Sequence, residues 1–117
     1  MHEIALMGDI LNLIEEDSEN RGVKEIQTVE LIVGDLSNAL PDALQMAFDI
    51  FKAQKITRLT ESAELIICRE KALAACTICG LEYVPTHKLT ECPTCKIPSG
   101  RLLQGETFQV RAYEGSS

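Results

Sequence analysis

Four cysteines, Cys76, Cys79, Cys92 and Cys95, stand in the pattern Cys-x2-Cys-x12-Cys-x2-Cys. Each Cys-x-x-Cys turn offers two thiolates to one ion, and two such turns complete a tetrahedral sulfur cage. Zn²⁺ imposes no d-electron geometry and suits a closed site of this kind. The neighbouring residues agree. Gly80 follows Cys79, where a positive φ is expected so that backbone N–H groups can turn toward sulfur. Pro93 follows Cys92 and stiffens the second turn. Disulfides are the plain alternative, but paired Cys-x-x-Cys turns in an acidic chain without a signal region fit a reducing compartment better. An iron tetrathiolate redox centre shares the ligand spacing and stays open at this point. With four thiolates in place, no position remains for a reactive water.

A second constellation is Met1-His2-Glu3. A bulky second residue generally blocks removal of the initiator Met, so the Met1 α-amine is expected to stay free. The amine, the His2 amide nitrogen and the His2 imidazole can then chelate one ion through two adjoining rings. Deprotonating an amide requires a metal that returns strong in-plane bonding. Ni²⁺ and Cu²⁺ in square-planar nitrogen fields do so, whereas tetrahedral Zn²⁺ gains little. The Glu3 amide or carboxylate would complete the plane or supply a fifth ligand. The competing reading is a solvated terminal histidine with no role.

Composition narrows what such sites can serve. The chain has 117 residues and a formal charge of −7. Four thiolates around one Zn²⁺ would make the holo-protein more negative still. That balance argues against nucleic acid, whose non-specific binding relies on Lys and Arg neutralising phosphate. No apolar run approaches the ~20 residues of a membrane span. With no basic-then-apolar leader either, a soluble cytoplasmic protein without membrane attachment is expected. A hydrophobic content of 45% supports a folded core.

The elements that position these residues follow from periodicity. Ile4, Leu6, Ile10, Leu13 and Ile14 mark an amphipathic helix over about residues 4–20, ended near Gly22. Glu25 to Val33 reads as a strand with Val29, Leu31 and Val33 on one face, broken by Gly34-Asp35. Pro41 opens a second helix whose apolar stripe is Leu44, Ala47, Phe48 and Phe51. Glu61 to Glu70 carries a second strand. After Gly105 a third is expected, with Phe108, Val110 and Ala112 on one face and Thr107, Gln109, Arg111 and Tyr113 on the other. Glu114 to Ser117 reads as a flexible tail. The fold class is therefore α+β, with two helices, a three-stranded sheet and an inserted four-cysteine, zinc-ribbon-like module. The expected domains are 1–70 completed by 105–114, and the module 71–104.

Met1-His2-Glu3 opening a helix, Val33-Gly34-Asp35-Leu36-Ser37 after the first strand, Pro41, the cysteine pattern and Gly105-Glu106 before the last strand together resemble the HypA/HybF family. The resemblance runs in order along essentially the whole chain. It implies a nickel metallochaperone for [NiFe]-hydrogenase maturation, with some members also serving urease. It further implies Ni²⁺ held by the Met1 amine, His2 and the Glu3 backbone, and structural Zn²⁺ held by Cys76, Cys79, Cys92 and Cys95. The implied partners are a HypB-type GTPase, the hydrogenase large-subunit precursor and, for urease, its accessory proteins. The chain departs from the family's habit in having Lys96 where a glycine commonly follows the last zinc cysteine, Glu61-Ser62-Ala63 for Glu-Gly-Ala, and Ile4 for an aromatic residue.

The remaining candidates read more plainly. His87 is expected to be a surface residue, because four thiolates saturate Zn²⁺. Cys68 is expected to be a small buried hydrophobe. Glu15-Glu16-Asp17 reads as a solvated helix face or a patch for a basic partner, and Asp35 and Ser37 as turn residues. No phosphate loop and no nucleophile with an orienting base is evident, so an enzyme is not expected. Two other classes compete with the metallochaperone. They are a zinc-ribbon interaction adaptor without nickel and a rubredoxin-like iron electron carrier.

Overall fold

The computed structural model describes residues 2–55, 57–85 and 90–117. In chain order the elements are α1 (His2–Arg21), β1 (Glu25–Gly34), α2 (Pro41–Gln54), β2 (Leu59–Glu70), β3 (Leu73–Cys76), β4 (Glu82–Tyr83), β5 (Gly100–Gln104) and β6 (Phe108–Ser116). The α+β class is as expected. Two three-stranded sheets form, in the orders β2-β1-β6 and β4-β3-β5. In the first, bonds from Lys24 N to Ser116 O and from Gly34 N to Thr107 O run β1 and β6 antiparallel. Bonds from Ile26 N to Arg58 O and from Asp35 N to Glu70 O make β1 and β2 parallel. A parallel pair needs a crossover, and α2 supplies it.

The chain packs into two compact units. One comprises Met1–Ile32, Ala39–Cys68 and Gln109–Ser117, and the other Val33–Asn38 and Arg69–Phe108. The core of the first unit is Met7, Ile10, Leu11 and Ile14 of α1, Ile26, Val29 and Leu31 of β1, and Leu44, Ala47 and Phe48 of α2. The α1 stripe runs through Met7, Leu11 and Ser18 rather than Leu13, which is 63% exposed. Leu13 lies off the 7-10-11-14-18 line that a 3.6-residue period places on one face.

The acidic run on α1 is mostly structural. Glu15 accepts bonds from the Arg58 backbone N–H at 2.8 Å and from Arg58 Nε at 3.0 Å. Asp17 accepts from Arg21 Nε at 2.9 Å and from the Tyr113 hydroxyl. The Tyr113 bond holds the Asp17 carboxyl below its usual range. Only Glu16 of the three is an exposed residue. Two readings at the C-terminal end are corrected. Residues 114–116 are strand, with Ser116 O accepting the Lys24 N–H, and not a free tail. The alternation of β6 also slips, because Ala112 is exposed while Tyr113 is half-buried and reaches α1.

In the second unit three chain segments meet tightly. Gly34 N donates to Thr107 O at 2.7 Å, Asp35 N to Glu70 O at 2.9 Å and Leu36 N to Gly105 O at 2.7 Å. The Glu70 carboxylate accepts the Gly105 N–H at 2.7 Å, which holds its carboxyl below the ordinary range. Asp35 is thus more than a turn residue, since its carboxylate also takes two bonds from the Arg69 guanidinium. A Cβ on Gly34 would lie 2.2 Å from Gly105 O and 2.8 Å from Glu106 N, both backbone atoms that cannot rotate aside. Gly34→Ala is therefore expected to destabilise by about 2 kcal/mol or more, toward the upper part of the overpacking range. A urea midpoint unchanged from wild type would show that this junction yields freely.

Candidate metal centres

The cysteine centre is built from two matching turns. Cys76 ends β3, and Gly80 N bonds back to Cys76 O at 3.0 Å. Lys96 N bonds back to Cys92 O at 2.7 Å in the same way. Gly80 has φ 77° and Lys96 has φ 59°, so both residues take the left-handed conformation just after their cysteine. This explains the preference for glycine at both positions, and Lys96 adopts the strained region without it. The turns are joined by Thr77 N to Ser99 O at 2.9 Å, and the β3–β5 pairing brings Cys76 opposite Gly100. Beside them the Tyr83 hydroxyl donates to Thr90 O, and Thr90 Oγ1 to Gly100 O at 2.9 Å.

All four Sγ atoms lie within 4.8 Å of one another. The Cys76–Cys95 and Cys79–Cys92 sulfurs are each 3.8 Å apart. That is too far for disulfides, whose sulfurs bond at about 2.05 Å. It agrees with the edge of a tetrahedron whose centre-to-sulfur distance is about 2.3 Å. The environment of the sulfurs is uneven. Cys76 Sγ accepts the N–H groups of Cys79 and Ile78, each at 3.4 Å, and lies 3.0 Å from the Ser99 hydroxyl. The Cys79 N–H, then Ser99, hold the Cys76 thiol down to about 5. Cys95 is pushed up to about 12, first by its hydrogen bond with Cys76 and then by Cys79. Four crowded sulfurs cannot all ionise without a cation among them, so the donor set fits a thiolate-bound metal. Ser99 had no signal in the sequence. Lys96 had one, in sharing the Gly80 offset from its Cys-x-x-Cys.

The amino-terminal constellation is described only in part, because Met1 and His87 lie outside the described residues. His2 begins α1 with its side chain 58% exposed, and its Nδ1 is 3.8 Å from Glu3 Oε2. Glu3 is the one buried charged residue among those described, 8% exposed. Its Oε2 accepts the Leu40 backbone N–H at 3.2 Å. Leu40 is the N-cap of α2 and has no side-chain cap of its own. A carboxylate there also meets the positive end of the helix dipole. The Glu3 carboxyl is held low by its own backbone N–H first and by Leu40 next. Nothing in the sequence pointed to this tie. Cys68 is half-buried, with Arg111 Nη1 at 3.5 Å from its sulfur, and takes no part in the cysteine cluster.

A tetrathiolate cluster in one small unit, together with another unit whose first helix opens on a fixed glutamate, defines a metal-handling protein. The comparisons with known proteins agree. A family model described as hydrogenase/urease nickel incorporation, metallochaperone, hypA matches residues 1–115. The hydrogenase maturation factor HypA of Moorella thermoacetica is 33% identical over 115 residues, covering 98% of this chain and 99% of that protein. Its counterpart in Desulfitobacterium hafniense is 35% identical over 114 residues, 97% of each chain. The solution structure of the Ni metallochaperone HypA from Helicobacter pylori covers 98% of this chain with a TM-score of 0.66 at 21% identity, a likeness of fold. The chain belongs to the HypA family of nickel metallochaperones for hydrogenase and urease maturation. No helix among the described residues is long and apolar enough to cross a membrane.

Proposed function

We propose that this chain binds Ni²⁺ through the Met1 amine, the His2 amide and imidazole and the Glu3 backbone, and carries it to an apo-enzyme. Zn²⁺ is held by Cys76, Cys79, Cys92 and Cys95 and serves structure. The nickel-binding domain is 1–70 with 105–114, and the zinc module is 71–104. The work is cytoplasmic, with a HypB-type GTPase and the [NiFe]-hydrogenase large-subunit precursor as partners, and urease accessory proteins where urease is the client.

The observation that carries the nickel reading is the buried Glu3 carboxylate. Its bond to the Leu40 N–H occupies the side chain and fixes the start of α1, while the His2 imidazole stays exposed. The carboxylate is thereby a positioning group, and the ligands left to a metal are backbone and imidazole nitrogens. Those donors favour Ni²⁺, and thiolates favour Zn²⁺, so the two sites are chemically distinct. A nickel titration of wild type and His2→Ala, with zinc assayed in parallel, tests this. His2→Ala is expected to lose stoichiometric nickel and keep its zinc. Unchanged nickel in the variant would place the site elsewhere, absence of nickel binding by the wild type would favour an interaction adaptor, and iron with visible colour in the isolated protein would favour an electron carrier.

A further inference from the structure

Ser99 ties the two cysteine turns together without belonging to the donor set. Its carbonyl oxygen accepts the Thr77 N–H at 2.9 Å and the Thr77 hydroxyl at 2.8 Å. Its own N–H donates to Ile97 O at 2.7 Å. These backbone bonds hold the residue in place whether or not its side chain carries a hydroxyl. That hydroxyl faces two acceptors, Cys76 Sγ at 3.0 Å and Ile97 O at 3.4 Å. One proton cannot serve both fully. A metal-bound Cys76 is a thiolate with no proton to give, so the hydroxyl must be the donor. A charged sulfur at the shorter distance takes that proton in preference to a neutral carbonyl.

The four sulfurs are therefore unequal. Cys76 is buried and accepts the Ser99 hydroxyl together with the N–H groups of Ile78 and Cys79. Cys92 is also buried and accepts the Cys95 N–H at 3.4 Å. Cys79 is exposed and Cys95 half-buried. Each donor draws electron density from a sulfur lone pair, lowers its nucleophilicity and fixes the direction from which it can meet an ion. We infer that Ser99 is a positioning residue of the metal centre, whose hydroxyl holds and quenches the Cys76 thiolate so that the centre opens at Cys79 and Cys95. An electrophile or a competing ion then enters by the edge these two sulfurs form, and Cys76 is the last to let go. The inference rests on a thiolate-bound metal at the cysteine cluster and is independent of the nickel reading.

The test treats the full-length, metal-loaded protein briefly with iodoacetamide, after elemental analysis has identified the metal. In the reaction a sulfur lone pair forms the S–C bond, iodide leaves with the C–I electron pair, and the metal–sulfur bond breaks. Peptide mapping of singly modified molecules is expected to place the label on Cys79 or Cys95 in wild type. Ser99→Ala is expected to raise labelling of Cys76 about 10-fold, the factor that one hydrogen bond to a charged group carries. In the cobalt-substituted protein the same change should move the sulfur-to-cobalt charge-transfer band to longer wavelength, because a sulfur relieved of a donor gives up an electron more easily. A change in access alone would leave that band where it was. Ser99→Thr keeps the hydroxyl and is expected to retain the wild-type labelling and band. Cys76 labelled as early as Cys79 in wild type, or an unchanged rate or band in Ser99→Ala, would overturn the proposal. So would a threonine variant that behaves like the alanine one, because shape and not the hydroxyl would then matter. Iron in place of zinc would overturn the zinc reading and leave the labelling order to decide the role of Ser99. A cluster that retains neither metal would overturn both.

Discussion

Adding one residue before Met1 is expected to abolish stoichiometric nickel binding without disturbing fold or zinc content. The extension turns the α-amine into an amide and removes the anchor of the first chelate ring. The remaining imidazole and amide nitrogens cannot assemble the planar nitrogen field that makes amide ionisation worthwhile for Ni²⁺. A loss on the order of 100-fold in affinity, about 2.7 kcal/mol, is the least such a change should produce. The Glu3 bond to Leu40 does not involve the α-amine, so α1 should begin as before. The measurement is a nickel titration of the extended and native proteins with circular dichroism as control. Native-like affinity in the extended protein would place the nickel elsewhere, and His87 would be the first residue to change.

Replacing Cys92 with Ala is expected to release the metal and unfold the second unit while leaving the first helical. The reason is what that unit buries. Among the described residues its buried hydrophobic side chains are Val33, Ala72, Ala74, Cys76 and Cys92, none larger than valine. So small a core cannot offset the entropy of ordering some forty residues, which costs about 1 kcal/mol or more for each backbone unit. The metal must replace it, and structural zinc supplies apparent binding energies of about 10–16 kcal/mol in small modules. Hydrogen exchange should show protection lost across β3, β4 and β5 and retained in α1 and α2, with metal analysis reporting loss of zinc. Protected β3–β5 amides in the metal-free variant would refute a metal-dependent unit.

The sequence made the chemistry legible where chemistry constrains spacing. Thiolates must converge on one ion, so Cys76, Cys79, Cys92 and Cys95 announced their cluster before any fold was known, and the structure brings all four together. Helices α1 and α2 and strands β1 and β2 were readable from apolar period, since each buries one face. What could not be read depended on distant partners. Glu3 looked like a possible ligand because nothing local reveals that the Leu40 N–H, 37 residues away, would claim its carboxylate. Glu15 and Asp17 looked solvated because Arg58 and Tyr113 are likewise remote. The terminal strand was cut short for the same reason. Residues 114–116 carry no strong strand signal and are ordered by pairing with the start of β1.

One consequence of the strand layout concerns how the chain is made and cut. β1, β2 and β6 each start in one compact unit and end in the other, so the backbone passes between the units four times. A single protease nick in any of those passages leaves three covalent connections intact. The cysteine unit is therefore not a detachable piece, and cutting the gene at one boundary cannot yield either unit whole. Synthesis meets the same restriction. β6 emerges from the ribosome after every cysteine, so the sheet that supports α1 and α2 can be completed only once the metal-binding segment is already outside the tunnel. The cysteines are thus open to metal before the sheet of β1, β2 and β6 can close.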